Sequence, residues 1–266
     1  MSATVDEKAT TRHTQSRSGR ADAAVPLHRL VHVEFRKIID TRAGLWMCIV
    51  MAAATGLAVI AALLTAPAEA LDYETFIGII GLPLMMLLPV LGIMAATSEW
   101  SQRTGLVTFT LEPRRGRVVT AKLIAGVLLG LVLIAIALVL AAGANLIALS
   151  KGASGSWEVP WGMILGLTVA LTIFVLQGFG FGFTVLNTPA AIVAALVLPT
   201  LWSIASSMID WVNKAGVWLD LNRVLDPLMG GRMSGEDWQH LATGVGFWVG
   251  LPLAIGIYRV MTREVK

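Results

Sequence analysis

Hydrophobic positions in this chain fall into unbroken blocks rather than stripes. Six runs carry no Asp, Glu, Lys, Arg or His: 45–64, 76–96, 123–149, 161–186, 190–209 and 241–258. A helix needs roughly 17–25 such residues to cross a hydrocarbon core of about 30 Å. A helix in a soluble core keeps a polar face, and these runs have none. The pattern predicts an all-α, polytopic membrane protein with six transmembrane helices at about those positions.

The segments between the blocks have their own periodicity. Over 27–39, Leu27, Leu30, Val31, Phe35, Ile38 and Ile39 recur at helical spacing, with His28, Arg29, His32, Arg36 and Lys37 on the other side. This predicts an amphipathic helix lying at the membrane interface within 27–43. The simpler alternative is the first turns of the span itself, but Asp40, Arg42 and Gly44 interrupt the pattern before the block at 45. The second block contains Pro83 and Pro89 and the fifth Pro199; each removes a backbone donor, so kinks or local unwinding are expected there. Gly126/Gly130, Gly162/Gly166, Gly178/Gly182 and Gly246/Gly250 are small-xxx-small pairs that let membrane helices approach closely. Asn187-Thr188-Pro189 makes a tight turn between the fourth and fifth blocks. In the 210–240 loop, Val217, Trp218, Leu221, Val224, Leu225 and Leu228 fit one helical face, ended by Pro227 and Gly230-Gly231. Trp157, Trp161, Trp211, Trp218 and Trp238 mark one membrane boundary and Trp46 and Trp100 the other, as an anchoring belt.

Charge adds orientation. Sixteen of the 20 Lys and Arg lie in the segment up to Arg42, in the 103–122 loop, or at Arg259, Arg263 and Lys266; the other four, Lys151, Lys214, Arg223 and Arg232, lie in the alternate loops. The positive-inside rule then puts both termini and the 97–122 loop in the cytoplasm; the membrane expected is the plasma membrane. Basic segments on that face also attract anionic lipids. Residues 1–26 are rich in Ser, Thr, Arg and Ala with no apolar core, which reads as a disordered cytoplasmic tail rather than a signal peptide. A transit peptide has similar composition, but Asp6, Glu7 and Asp22 speak against one. The single cysteine, Cys48, lies in the first span and reads as an apolar filler.

The composition also excludes chemistry. No histidine and no pair of carboxylates falls in a span, and no H-E-x-x-H zinc motif occurs. Ser203, Ser206 and Ser207 cluster without a base, so they read as hydroxyls bonded within or between helices. Neither metal nor organic cofactor is implied, nor a nucleic-acid partner. Polar groups at depth are few, and Thr55, Asn145, Thr172 and Gln177 are candidates to line a path. None of them titrates, so ion-coupled transport lacks the groups it usually uses. No G-x-x-x-x-G-K-[ST] loop occurs either, so driving force for any transport must come from another subunit.

The most distinctive segment is 98–122, S-E-W-S-Q-R-T-G-L-V-T-F-T-L-E-P-R-R-G-R-V-V-T-A-K. Glu99 and Arg103 are spaced i,i+4 in the favourable order for a helical pair. Leu106, Val107, Phe109 and Leu111 form an apolar stretch too short to span. It is either part of a solvated basic loop or a docking element, and the apolar stretch favours docking.

Glu99, Arg103-Thr104-Gly105, Leu111, Pro113-Arg114-Arg115 and Lys122 resemble the pattern between the second and third spans of type-2 ABC transporter permeases, the ABC-2 family. The resemblance implies a coupling helix in this loop that seats in a groove of an ATPase subunit. It implies an elbow helix before the first span, a six-span domain over 44–266, and extracellular helices within 210–240. Glu99, Arg103, Thr104, Phe109, Leu111, Pro113, Arg114 and Arg115 would make the ATPase contact, with Glu99 and Arg103 holding its shape and Phe109 and Leu111 filling the groove. The partners implied are an ABC ATPase subunit and a second permease, either a copy of this chain or a sibling. The expected function is export of an amphipathic or lipophilic substrate. The alternatives are a non-transporting anchor or immunity component that recruits a cytoplasmic partner, and an intramembrane enzyme.

Overall fold

The computed structural model describes residues 25–102, 104–153 and 155–263; the tail up to residue 24, Arg103 and the side chain of Phe109 lie outside the described residues. The described chain is helical, with no strand among those residues. Helix α1 (Leu27–Asp40) precedes α2 (Arg42–Thr65), and α3 (Tyr73–Ser101) leads through a short α4 (Gly105–Leu111) into α5 (Arg115–Ser150). Then follow α6 (Trp161–Val185), α7 (Thr188–Met208), α8 (Asp210–Leu219), α9 (Leu221–Met229), α10 (Gly235–Val245) and α11 (Leu251–Thr262), the last two joined by a π-type turn at Gly246–Gly250. Six helical stretches are long and apolar enough to cross a membrane: α2, α3, α5, α6, α7, and α10 with α11. The chain is therefore a multi-pass membrane protein in architecture.

Local chemistry sets the corners. Thr41 Oγ1 accepts from Gly44 N at 3.1 Å and caps α2. A Cβ at Gly44 would overlap the Ile38 carbonyl, so the α1–α2 corner closes only around glycine. Asp72 Oδ1 accepts from Thr75 N at 2.8 Å and starts α3. At the α6–α7 turn Leu186 takes a left-handed conformation (φ 56°), and Asn187 Oδ1 caps the next helix through Ala190 N at 3.1 Å.

The core sits around α3 and α6, the two most enclosed spans, while α2 and α7 are mostly exposed. α3 and α6 meet at backbone level. A Cβ at Gly178 would strike the Pro89 carbonyl, one at Gly92 would come within 2.6 Å of the Val175 carbonyl, and one at Gly182 within 2.6 Å of Ala96 Cβ. Gly166 lies against the Leu228 carbonyl of α9 and Gly126 against the Phe179 ring, whereas Gly130 and Gly246 face open space. So three of the small-residue pairs make close contacts through at least one member, and Gly246/Gly250 makes none of comparable closeness.

Three expectations change. α3 stays helical through Pro83 and Pro89 and Pro199 likewise lies inside α7, which sets aside the unwinding expected as one alternative and is compatible with the other, a kink. The face expected as one helix after residue 210 is two helices. Asp220, buried, ends α8 and caps α9 by accepting from Asn222 N at 3.1 Å, and Pro227 lies within α9 rather than ending it. Helices α3, α5 and α10 also run past their apolar blocks, because charge-free runs mark contact with hydrocarbon and not the ends of the hydrogen-bond ladder.

Candidate functional site

Four charged side chains meet where α1, α3 and α5 converge. Glu34 sits among Val31, Phe35 and Ile38 on the inward face of α1 and is buried, with Lys37 one turn on. Glu99 lies in the last turns of α3 and Lys122 two turns into α5, each about 3% exposed. Lys122 Nζ donates to Glu34 Oε2 at 2.6 Å, to the Ala95 carbonyl at 3.0 Å, and pairs with Glu99 Oε1 at 2.8 Å. The ammonium group also approaches Ser98 Oγ at 3.4 Å, so acceptors surround it. Lys37 Nζ lies 2.6 Å from Glu34 Oε1 and 3.6 Å from Glu99 Oε1. Ser98 Oγ donates to the second Glu99 oxygen at 3.0 Å.

Two carboxylates and two ammonium groups leave the cluster formally neutral. That balance is what lets it sit out of water, since an unpaired charge there is strongly disfavoured. Burial alone pushes the Glu34 carboxyl up, but Lys122 and Lys37 outweigh it and hold the group below the usual carboxylate range. The cluster therefore ties α1 to α3 and α5, with the Glu34 carboxyl held in its charged form by its lysine neighbours.

Above it lies the 102–117 hairpin. Thr104 N donates to the Glu99 carbonyl at 3.1 Å, joining the hairpin to α3. Leu106, Val107 and Leu111 of α4 are exposed, Leu111 at 75%. Glu112, buried, faces Arg117 Nε at 3.4 Å, and Arg117 also donates to the Val25 carbonyl. Pro113 and Arg114 are exposed, while Arg115 donates to the carbonyls of Val260 at 3.0 Å and Arg263 at 2.6 Å. A cavity of about 830 Å³ opens between α1, α2, α3, α4, α5 and α7. Its walls include Leu30, Val33, Met94, Val107 and Leu111, and the four charged residues also line it. It is an apolar groove with an ion-paired lining.

The structure thus gathers Glu99, Thr104, Leu111 and Lys122 around one groove, while Pro113, Arg114 and Arg115 line a different cavity beside α11. Arg103 and the Phe109 side chain are outside the described residues, and with them the expected pairing of Glu99 with Arg103; among the described residues Glu99 meets Lys122, Lys37 and Ser98.

The four candidate path residues lie on three helices, Thr55 on α2, Asn145 on α5, and Thr172 and Gln177 on α6. Thr55 is buried in α2, and its hydroxyl has no hydrogen-bond partner among the described residues. Asn145 Nδ2 donates to the Ser156 carbonyl at 3.2 Å, which also accepts from Tyr73 N, so Asn145 straps the segment at Ser156 onto α5. Thr172 bonds its own helix at the Thr168 carbonyl, and Gln177 is buried in α6. None of the four lines either cavity.

Sequence reasoning missed Glu34, Lys37 and Glu112. Glu34 had a signal: it stands at i+3 from Val31 and i−4 from Ile38, on the apolar face, where a carboxylate must find a cation. Glu112 had none before the hairpin closed. Compared with protein-family models and with curated proteins, the chain matches no family model and no curated sequence.

Proposed function

We propose that the chain is the membrane-spanning subunit of an ATP-driven transporter of the ABC-2 type, with both termini cytoplasmic and no catalytic activity of its own. Residues 102–117 are the handle gripped by a separate ATPase subunit, α4 is the coupling helix, and α1 is the elbow helix. The observation that carries this reading is the exposed apolar edge of α4, mounted on a hairpin whose base is ion-paired to three helices. An apolar edge in a basic cytoplasmic loop needs a protein surface to cover it. A push on α4 cannot be absorbed at the hairpin base, because separating Lys122 from Glu99 or Glu34 exposes buried charge. The motion passes instead into α3 and α5, and from α3 into α6 through their backbone contact. The cargo class that suits uncharged spans is amphipathic or lipophilic, and a second permease, identical or sibling, completes the path.

The test is purification of the tagged chain from its native membrane. A nucleotide-hydrolysing subunit should accompany it. Leu111→Glu, on an exposed position, should cut that association at least tenfold while the permease inserts and melts as before. Glu99→Lys should reduce cargo-stimulated hydrolysis. Transport by the isolated chain, or undiminished coupling in the Leu111 variant, overturns the reading.

A further inference from the structure

The groove beneath α4 changes chemistry along its length. Its deep wall is made by Leu91 and Met94 of α3 and Ile192 of α7, all inside charge-free runs, at the depth where a bilayer is hydrocarbon. Its rim is made by Gln102, Thr104 and Thr108, on the hairpin side of those runs. The volume, about 830 Å³, falls within the roughly 300–1,000 Å³ of clefts that hold a small ligand. The walls cannot close on themselves. The ion pairs fix α1, α3 and α5, and the Thr97 and Thr188 hydroxyls, 2.6 Å apart, fix the start of α7 to α3. Water does not suit the deep end. A buried water needs about two to four polar partners. The buried charges of the lining are already engaged, Lys122 with Glu34 and Glu99, and Glu112 with Arg117. Among the described residues, no buried side-chain atom without a hydrogen-bond partner belongs to this lining. A hollow held open by apolar walls at hydrocarbon depth is filled by hydrocarbon, since neither vacuum nor water packs there. The charges add a second restriction. Among the described residues, Glu34, Glu99 and Glu112 are matched by Lys37, Lys122 and Arg117, so the lining offers an ionic headgroup no surplus charge.

We propose that this groove holds an acyl chain of a bilayer phospholipid, taken from the leaflet on the cation-rich side and recognised by its hydrocarbon, not by the charge of its headgroup. The chain lies along Leu91, Met94 and Ile192, and the headgroup sits at the rim beside Gln102 and Thr104. The lipid fills the space between α4 and the helices beneath it, and so supports the hairpin from the membrane side. This holds whether or not an ATPase is the hairpin's partner.

The experiment uses the full chain in phosphatidylcholine vesicles doped with phosphatidylcholine that carries a diazirine near the end of its acyl chain. After irradiation the labelled residues are mapped by peptide mass spectrometry. Leu91, Met94 and Ile192 should be labelled. Lysophosphatidylcholine should displace that label at a concentration that leaves labelling of the outward-facing Leu57 on α2 unchanged. Met94→Trp and Ile192→Trp, which fill the groove from two different helices, should each cut labelling of the remaining groove residues about fivefold and leave Leu57 within about twofold. A diazirine carried on phosphatidylglycerol should label the groove within about threefold of the phosphatidylcholine probe, because a balanced lining does not discriminate between them. An unlabelled groove overturns the proposal, as does label that lysophosphatidylcholine does not displace or that both tryptophan variants leave intact. A larger preference for either headgroup overturns it, since the headgroup is then what is recognised. Labelling of the same residues by a water-soluble diazirine also overturns it, since the hollow is then hydrated. The displacement from the wild-type chain needs no substitution and decides the matter even where a variant fails to insert.

Discussion

Lys122 carries more structural consequence than any other charged side chain described, because it meets Glu34 of α1 and both Glu99 and the Ala95 carbonyl of α3 at once. Replacing it with Met leaves Glu34 and Glu99 buried with one cation between them. The expected loss of stability is about 3–5 kcal/mol, read as a large fall in the unfolding midpoint in detergent. Glu34 gives the matching pH signature. Its folded carboxyl is held below the usual range, so the stability it contributes is complete at neutral pH and is lost as pH falls below about 4, through the lowered value. Glu34→Gln should flatten the acid limb of the midpoint against pH curve; an unchanged limb would mean Glu34 is not ionised in the fold. The family-like motif had drawn attention to Glu99 and Lys122, but one sequence could not pair them. A helical i,i+4 rule looks only along its own helix, whereas Lys37 and Lys122, which Glu99 meets among the described residues, come from α1 and α5.

At the scale of elements, the apolar blocks made the number and order of spans legible, since length and absence of charge are read directly by a bilayer. What they left open was contact. Gly178 and Gly130 look alike in sequence, yet one touches the Pro89 carbonyl and the other nothing. Gly178→Ala should therefore destabilise by about 1–3 kcal/mol through overpacking, and Gly130→Ala should be neutral or slightly stabilising within its helix, both measured by thermal unfolding in detergent. Asp220 illustrates a second limit. Periodicity ran through it as one face, but an aspartate able to accept from the next amide is a starting cap, and it divides the stretch into α8 and α9. The prolines of α3 illustrate a third: each removes one donor from the ladder, yet the helix continues past both, because one missing bond does not end a helix packed against neighbours over most of its length.

For the whole molecule, the uneven distribution of cations makes a directional prediction. Cys48 is the only cysteine, so Cys48→Ser gives a clean background for labelling. In that background Thr110→Cys, on exposed α4, should react only from the cytoplasmic side, and Glu158→Cys, exposed before α6, only from outside. The reverse result would invert the protein and place the hairpin out of reach of any cytoplasmic partner. The candidate site was legible only in part for the same reason that the fold was legible in outline. Insertion follows local composition, but the groove is assembled from side chains of six helices, reaching from Leu30 in α1 to Ile192 in α7.

The seating of α3 against α6 has a consequence for how the protein is made. A ribosome delivers Gly92 and Pro89 to the membrane long before Gly178 and Gly182 exist. Until the fourth span arrives, α3 presents a furrow at main-chain depth that disordered acyl tails fill poorly. The nascent chain thus waits, half assembled, with its least lipid-compatible surface bare, and that interval is when insertion machinery or a membrane protease has its best opportunity to act on it.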